Sequence, residues 1–420
     1  MDEPSHYVVR GTAQAREIVL VYTADSISTS TFSNNVIDVE SNRITADYAY
    51  VNPVSLFGFV PARASEPVRL SVARPKGWMA ATVLATDDQG RFLAPSYLRL
   101  EDSPLFFSPS LITETFEVDK KVHSVTVHGR SPADAAAISK GCERIVTAAA
   151  QWMRGLPYDR YHFLFGFVPE GGGSGLEHSF STLILVNEKL PIGEDSESFW
   201  GITTHEFFHL WCAERIHVQE IQHPDLTQPL ETGTIWVNEG ITEYASKHIL
   251  LAAGFLEPEQ VLQSYLTTRI PPGALPKQSW TDVSRAAPGW RDMNDLMIFA
   301  ARMYMVGPPT IFALDMTMRR ATNGERGVHD LLRYLLEHYA AKDRGFGEDE
   351  LDDVLAAVAG PPAVEFYERF IDGDEIPDAA QYLDVLGYRY DPDGGLSELP
   401  DVTPLQRQTR RDYFSVTGEP

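Results

Sequence analysis

Cysteine is nearly missing from this chain: Cys142 and Cys212 are the only two in 420 residues. So sparse a supply excludes a disulfide scaffold and leaves the redox compartment open. Positive charge is also in short supply. Lys and Arg number 35 against 59 Asp and Glu, a formal net charge of −24. That balance argues against nucleic acid as a partner and against docking on anionic lipid. No uninterrupted apolar run is long enough to span a bilayer, so membrane insertion is not expected. Met1 to Arg10 has no apolar core and no cleavage pattern, so no signal peptide is visible, and a soluble cytoplasmic or periplasmic protein is expected. The glycine run Glu170-Gly171-Gly172-Gly173-Ser174-Gly175 has no Lys-Ser or Lys-Thr after it, which argues against a phosphate loop. Internal repeats and low-complexity blocks are absent.

What remains is the composition of a globular protein, with 43% hydrophobic and 22% charged residues. The length exceeds one ordinary core and predicts two or three domains. Residues 1–130 read as a sandwich-like all-β domain. Its short β-branched or alternating runs include Ile18–Tyr22, Arg69–Ala73 and Ser124–His128, separated by polar and Pro/Gly turns. The pattern changes at Ser131-Pro132-Ala133-Asp134, where Ser131 is a plausible cap for an Ala-rich helix reaching Arg154. Strands are predicted at Tyr161–Val168 and Ser181–Val186. A helix is expected from Ser196 to about Trp211, capped by Asp195 or Ser196, and another from about Thr234 to Leu251. Beyond 255 the chain reads as mostly helical. Pro308-Pro309 restarts a helix toward Arg320, and helices continue to about Phe370. The expected division is therefore 1–130, an α+β unit at 131–255, a helical part at 256–390, and an irregular polar tail at 391–420.

The chemistry is concentrated in His205-Glu206-Phe207-Phe208-His209. Four helical positions apart, the two imidazoles share one face and can hold one ion. Glu206 then stands beside that ion as a carboxylate base for water, which is what a metal-dependent hydrolase needs. A catalytic zinc takes three protein ligands and keeps a fourth position open. A histidine six residues past the second would be one route to the third ligand. Cys212 and Arg215 occupy the positions where that pattern has its glycine turn and histidine, so this route is closed. The other route is a glutamate on a following helix. Glu239 lies 30 positions beyond His209 in the amphipathic segment Ile235–Tyr244, and it is taken as the third ligand. Glu243, one turn later, is placed to orient a ligand imidazole from its far nitrogen. His217 and His223 are assigned to surface or supporting positions, and Cys212 to a buried inert thiol.

These residues resemble the gluzincin zinc metallopeptidases, and most closely the glycyl aminopeptidase family. The likeness rests on His205–Trp211 and on Trp236-Val237-Asn238-Glu239-Gly240-Ile241-Thr242. Gly175-Leu176-Glu177-His178-Ser179 is similar to that family's Gly-Leu-Glu-His segment. Tyr304 with Gly307 and Ile311–Met316 is similar to its Tyr-x-Lys-Gly segment and the helix after it. Weaker likenesses are Pro75–Trp78, Glu101–Pro104 and Phe366–Phe370. The resemblance spans roughly residues 40–390, in the family's order. The first strands of the family's N-terminal domain and its C-terminal PDZ domain are not recognised. Departures lie at Cys212 for the usual Asn, Ala213 for valine, Glu214 for a basic residue, Val306 for lysine, and the two prolines after Gly307.

The resemblance implies an α+β multidomain protein: an N-terminal β domain, then a thermolysin-like catalytic domain holding one Zn2+ ion, then a mostly helical C-terminal part. It implies an aminopeptidase acting on peptides with a free N-terminus, with glycine or another small residue removed. In that reading Glu206 is general base, Tyr304 stabilises the oxyanion, and Glu177 binds the α-ammonium. Gly175 and Leu176 pair with substrate as an added strand, and His178 binds substrate or holds the strand in place. The alternatives are an endopeptidase of the same clan, and a weakly active relative acting as a binding protein. Oligomeric state is not legible.

Overall fold

The computed structural model describes residues 17–23 and 42–415, except 170–172, 194, 223, 227, 229, 268–274 and 288–292. Two β layers open the chain. A four-stranded sheet runs in the order Arg43–Ile44, Ala49–Val51, Leu105–Ser108, Met79–Ala81. A three-stranded sheet is formed by Val68–Leu70, Phe92–Ala94 and Ala85–Thr86. Ile18–Tyr22, expected as a strand, has no regular structure. Its apolar side chains are exposed, with Val21 at 92%, so among the described residues this β-branched run has no sheet to pack on.

The next sheet joins the middle of the chain. Its five strands run Ser174–His178, Ser181–Asn187, Arg160–Val168, Lys121–His128, Ile112–Val118. Lys121–His128 pairs in parallel with Arg160–Val168 along its length, from Arg160 opposite Val122 to Gly166 opposite His128. The boundary expected at 130 therefore moves upstream, because the strands of 112–128 belong to this sheet and not to the β layers before it. Strand pairing over that distance is invisible in local alternation. The β domain packs on this sheet through Tyr48, Tyr50, Ala81 and Phe106 against Leu164, Val168, Leu183 and Leu185.

The helix Pro132–Met153 covers the sheet. Ser131 accepts from the Asp134 amide while the Asp134 carboxylate accepts from the Ser131 amide, a capping box with Pro132 at the first helical position. Ile138, Cys142, Ile145, Ala149 and Trp152 recur at helical spacing and are buried. The helix Glu197–Phe208, which carries His205 and Glu206 and ends just before His209, and the helix Thr242–Ala252 pack in the same core. One continuous core extends from Val125 to Tyr413, so no break in packing falls at 255.

Beyond 255 the fold is helical as read. One stretch, Asn294–Ala321, is long and apolar enough to cross a bilayer by length and composition alone, yet 61% of its apolar window is buried inside the protein. It is a core helix. The tail departs from expectation: Tyr388–Asp391 and Gly395–Glu398 form a hairpin, and Pro404–Phe414 is a helix. Thr403 and Gln406 make the capping box that starts it. Tyr413, at 3% exposure, meets the Tyr244 hydroxyl at 3.3 Å, and Tyr244 donates to buried Asp315 at 2.8 Å. The Pro/Gly content that suggested an irregular end serves the turns instead.

Candidate metal centre

The metal helix is regular, so His205 and His209 project from one face. Their Nε2 atoms lie 3.0 Å apart. Glu239 Oε2 stands 3.2 Å from His205 Nε2 and 3.8 Å from His209 Nε2. Zinc ligands held tetrahedrally at about 2.0–2.1 Å stand roughly 3.3 Å from one another, which these separations straddle. The far nitrogens decide the chemistry. His209 Nδ1 is 2.9 Å from the Cys212 carbonyl and His205 Nδ1 is 3.0 Å from Glu243 Oε2. Both partners accept, so each ring carries its proton on Nδ1 and, when neutral, turns a lone pair inward from Nε2. Two inward lone pairs and a carboxylate converging on one point fit a cation. The donor set suits zinc.

Electrostatics point the same way. Burial lowers the pKa of His205, but hydrogen bonds to Glu239 and Glu243 outweigh it and leave the ring well above its ordinary value. Burial raises Glu239, yet His209, His205 and the Tyr304 hydroxyl prevail and bring it down to about 2. The pocket is built to hold positive charge.

Glu206, only 7% exposed, is pushed up to about 7 by burial, with Glu177 and Glu239 adding to the rise against both histidines. Glu177, Glu206 and His209 bring ligand atoms within 4.8 Å of one another, so Glu177 reaches the same cavity. Its strand, Ser174–His178, lies at the edge of the five-stranded sheet and, among the described residues, pairs only with Ser181–Asn187. Gly175 packs so tightly on Glu206 that any Cβ there would overlap its side chain. Leu176 opposes Leu183 and packs against the contact between the β layers and the sheet. Tyr304 is 42% exposed as a residue, with its hydroxyl donating to Glu239 at 2.9 Å. Burial of the phenol and the Glu239 charge keep its pKa well above 10.

His178 sits elsewhere. It is buried at 5% exposure with Nδ1 3.4 Å from Asp102, so its neighbour is the β domain. Ser179 extends that join: its amide donates to Asp102 at 3.0 Å and its hydroxyl to Glu214. Glu214, in the family's basic position, is partly buried there, and desolvation raises it to about 7, with Asp102 adding to the rise. Cys212 is buried, its thiol pushed up to about 12 by desolvation, and its carbonyl orients His209. His217 is half-buried against the Ala213 carbonyl at 3.2 Å; His223 lies outside the described residues, as do 170–172 of the glycine run.

Sequence reasoning missed two features. Asp102 carries no local signal of its contact with Ser179 and His178 at the end of the edge strand, because that contact is tertiary. The other is local geometry. Glu239 and Tyr304 each lie in a π-helical turn, at Val237–Ile241 and Ala301–Val306. Such turns carry one residue more than the α repeat and collect at functional sites. No sequence signal marks them.

A β domain followed by a mostly helical part, with two histidines from one helix and a glutamate from a second, is the arrangement found in the gluzincin class. Within that class, residues 198–287 match the M61 glycyl aminopeptidase family model. Residues 3–109 match the M61 peptidase N-terminal domain. The chain is thus similar to M61 peptidases in two separate segments, and the N-terminal match begins at residue 3, upstream of residue 40, where the likeness carried by the motifs starts. No curated protein matches. Among solved structures, an aminopeptidase N family protein from Idiomarina loihiensis superimposes with a TM-score of 0.74 at 21% identity, over 84% of this chain and 64% of that one. An M1 zinc metallopeptidase from Deinococcus radiodurans, solved with a Tyr-Ser-Ala substrate, gives 0.54 at 15%, over 82% and 75%. Yeast LTA4 hydrolase gives 0.52 at 13%, over 81% and 53%. At these identities the likeness is one of fold.

Proposed function

We propose that this protein is a zinc aminopeptidase that hydrolyses the first peptide bond of peptides with a free N-terminus, releasing glycine or another small residue. The observation that carries the reading is the convergence of His205 Nε2, His209 Nε2 and Glu239 Oε2 beside Glu206 and Glu177. One zinc ion per chain, held by those three ligands, supplies an acidified water and a Lewis acid for the scissile carbonyl. Glu206 takes the proton of the attacking water and returns it to the leaving amine. A carboxyl whose pKa burial has brought near neutrality suits both halves of that exchange. Tyr304, kept protonated, donates to the oxygen that gains charge.

Glu177 is the carboxylate for the α-ammonium. It stands in the cavity on an edge strand, so a peptide can add alongside Gly175 and Leu176 while its terminus meets the carboxylate. The absence of a side chain at Gly175 lets Glu206 lie against that strand. His178 supports the strand from behind through Asp102.

The test compares one glycine-initiated peptide with its N-acetylated form, using protein of measured metal content. Cleavage of the free peptide with one zinc per chain, and loss of it on acetylation, is expected. Equal rates on the two would remove the exopeptidase reading, and metal-free protein with full activity would remove the zinc reading.

A further inference from the structure

The two π turns touch. Gly240, in the first, has its Cα 3.5 Å from where a Cβ on Gly307, just after the second, would lie. The indole of Trp280 sits over both glycines. A Cβ on Gly240 would meet Trp280 Cζ3 at 3.1 Å and Cη2 at 3.4 Å, and a Cβ on Gly307 would meet Cη2 at 3.6 Å. Trp280 is fully buried, and its amide donates to the Ile371 carbonyl at 2.9 Å. Ser279, whose side chain accepts from Asp282, caps the helix Trp280–Ala286. The ring is thus held by the C-terminal helices and pressed on the two turns.

One inserted residue rotates the helix that follows by about 100° relative to what precedes it. Glu239 neighbours Gly240, and Tyr304 lies three residues before Gly307. The relation between the two turns therefore sets the 2.9 Å contact between the Tyr304 hydroxyl and Glu239. We propose that Trp280 is a positioning residue: its indole, seated on Gly240 and Gly307, fixes how the two π turns meet and so places Glu239 against the histidines and Tyr304 beside the reacting carbonyl. Protein interiors are close-packed and do not deform continuously, so a change of one methyl at this seat moves the turns as units. The proposal rests on the metallopeptidase reading, but its metal-binding half stands apart from turnover.

Steric logic supplies the test. Gly240→Ala puts a methyl into the Cζ3 edge of the indole. Trp280→Phe removes that edge, because a phenyl ring stops short of it. In full-length protein, zinc affinity is measured by competition with a chelator, kcat and KM on a free-amino peptide, and Tm alongside. Gly240→Ala is expected to lose about 10-fold or more in zinc affinity and about 10–100-fold in kcat, with KM changed less. Gly307→Ala, with ordinary contact distances, is expected to lose less. The double variant Gly240→Ala/Trp280→Phe is expected to regain most of both losses, a coupling that two independent structural defects would not show.

Additive losses in the double variant overturn the proposal. So does a Gly240→Ala protein that loses Tm while zinc affinity and kcat stay within about twofold of the parent. If Gly240→Ala does not fold, Trp280→Phe decides by itself, and unchanged zinc affinity and kcat in that variant overturn the proposal. A parent that binds zinc but cleaves no peptide breaks the functional reading alone, and the affinity comparison still stands.

Discussion

The two helices that carry the proposed ligands solve one problem differently. Glu197–Phe208 is regular, and its four-residue spacing is enough to aim His205 and His209 at one point. The segment that follows Thr234 is not regular. It carries Glu239 in a π turn and Glu243 in the α turns after it, and both reach His205, one at Nε2 and the other at Nδ1. Two ligands from one helix need only local geometry. A third brought across from another helix must match a position set by packing, and a local irregularity makes that adjustment. Tyr304, also brought from afar, uses the same device.

The contrast can be broken from the regular side first. Glu206→Gln removes the base and leaves the ligands, and kcat is expected to fall by about 10²–10⁴ with zinc content unchanged. Steady-state kinetics on zinc-loaded protein checks this, and a variant with most of its turnover intact would falsify the assigned base. From the irregular side, Glu243→Gln keeps the ligands but weakens the hold on His205 Nδ1. Zinc affinity is expected to drop by about 10–100-fold in a chelator titration. No change there would mean that Glu243 merely shares the space.

Edge-strand positions sharpen the comparison at the substrate side. A charged hydrogen bond is worth about 1.5–3 kcal/mol, so Glu177→Gln is expected to cost about 10–100-fold in kcat/KM on free peptides. An N-acetylated peptide should show no such loss, and parallel losses on both substrates would argue against an ammonium site.

The smallest effect belongs to Glu214. Its carboxyl is raised to about 7 in the folded protein from an ordinary value of 4.5. The unfolded chain gives up that proton first, so the group's contribution erodes as pH rises from about 4.5 through 7. Glu214→Gln removes the charge. Thermal melts should show a gain of a few degrees over the parent at pH 8 that vanishes near pH 5. A gain of equal size at both values would point to packing instead of ionisation.

How much was legible follows the same division. The histidine pair and Glu206 are readable because helical spacing is local. Helix starts at Ser131 and Thr403 carry capping signals, though the second is masked by the polar tail around it. Ser124–His128 reads as a strand without saying which sheet it joins, because register is decided by partners far along the chain. Ile18–Tyr22 is rich in β-branched residues and forms no strand, since β preference needs a surface to pack on.

The sequence by itself determined the class of chemistry: two imidazoles at helical spacing with a carboxylate beside the first, and too few cysteines for a disulfide frame. The tertiary structure decided the rest of the centre. It brought Glu239 from 30 positions beyond His209 to 3.2 Å from His205, and Tyr304 to 2.9 Å from Glu239. It set Gly175 against Glu206 and joined the β domain to that strand through Asp102. Side chains on one helix turn meet by backbone geometry alone. Those on separate elements meet only where packing holds the elements, and here two glycines under one tryptophan do the holding.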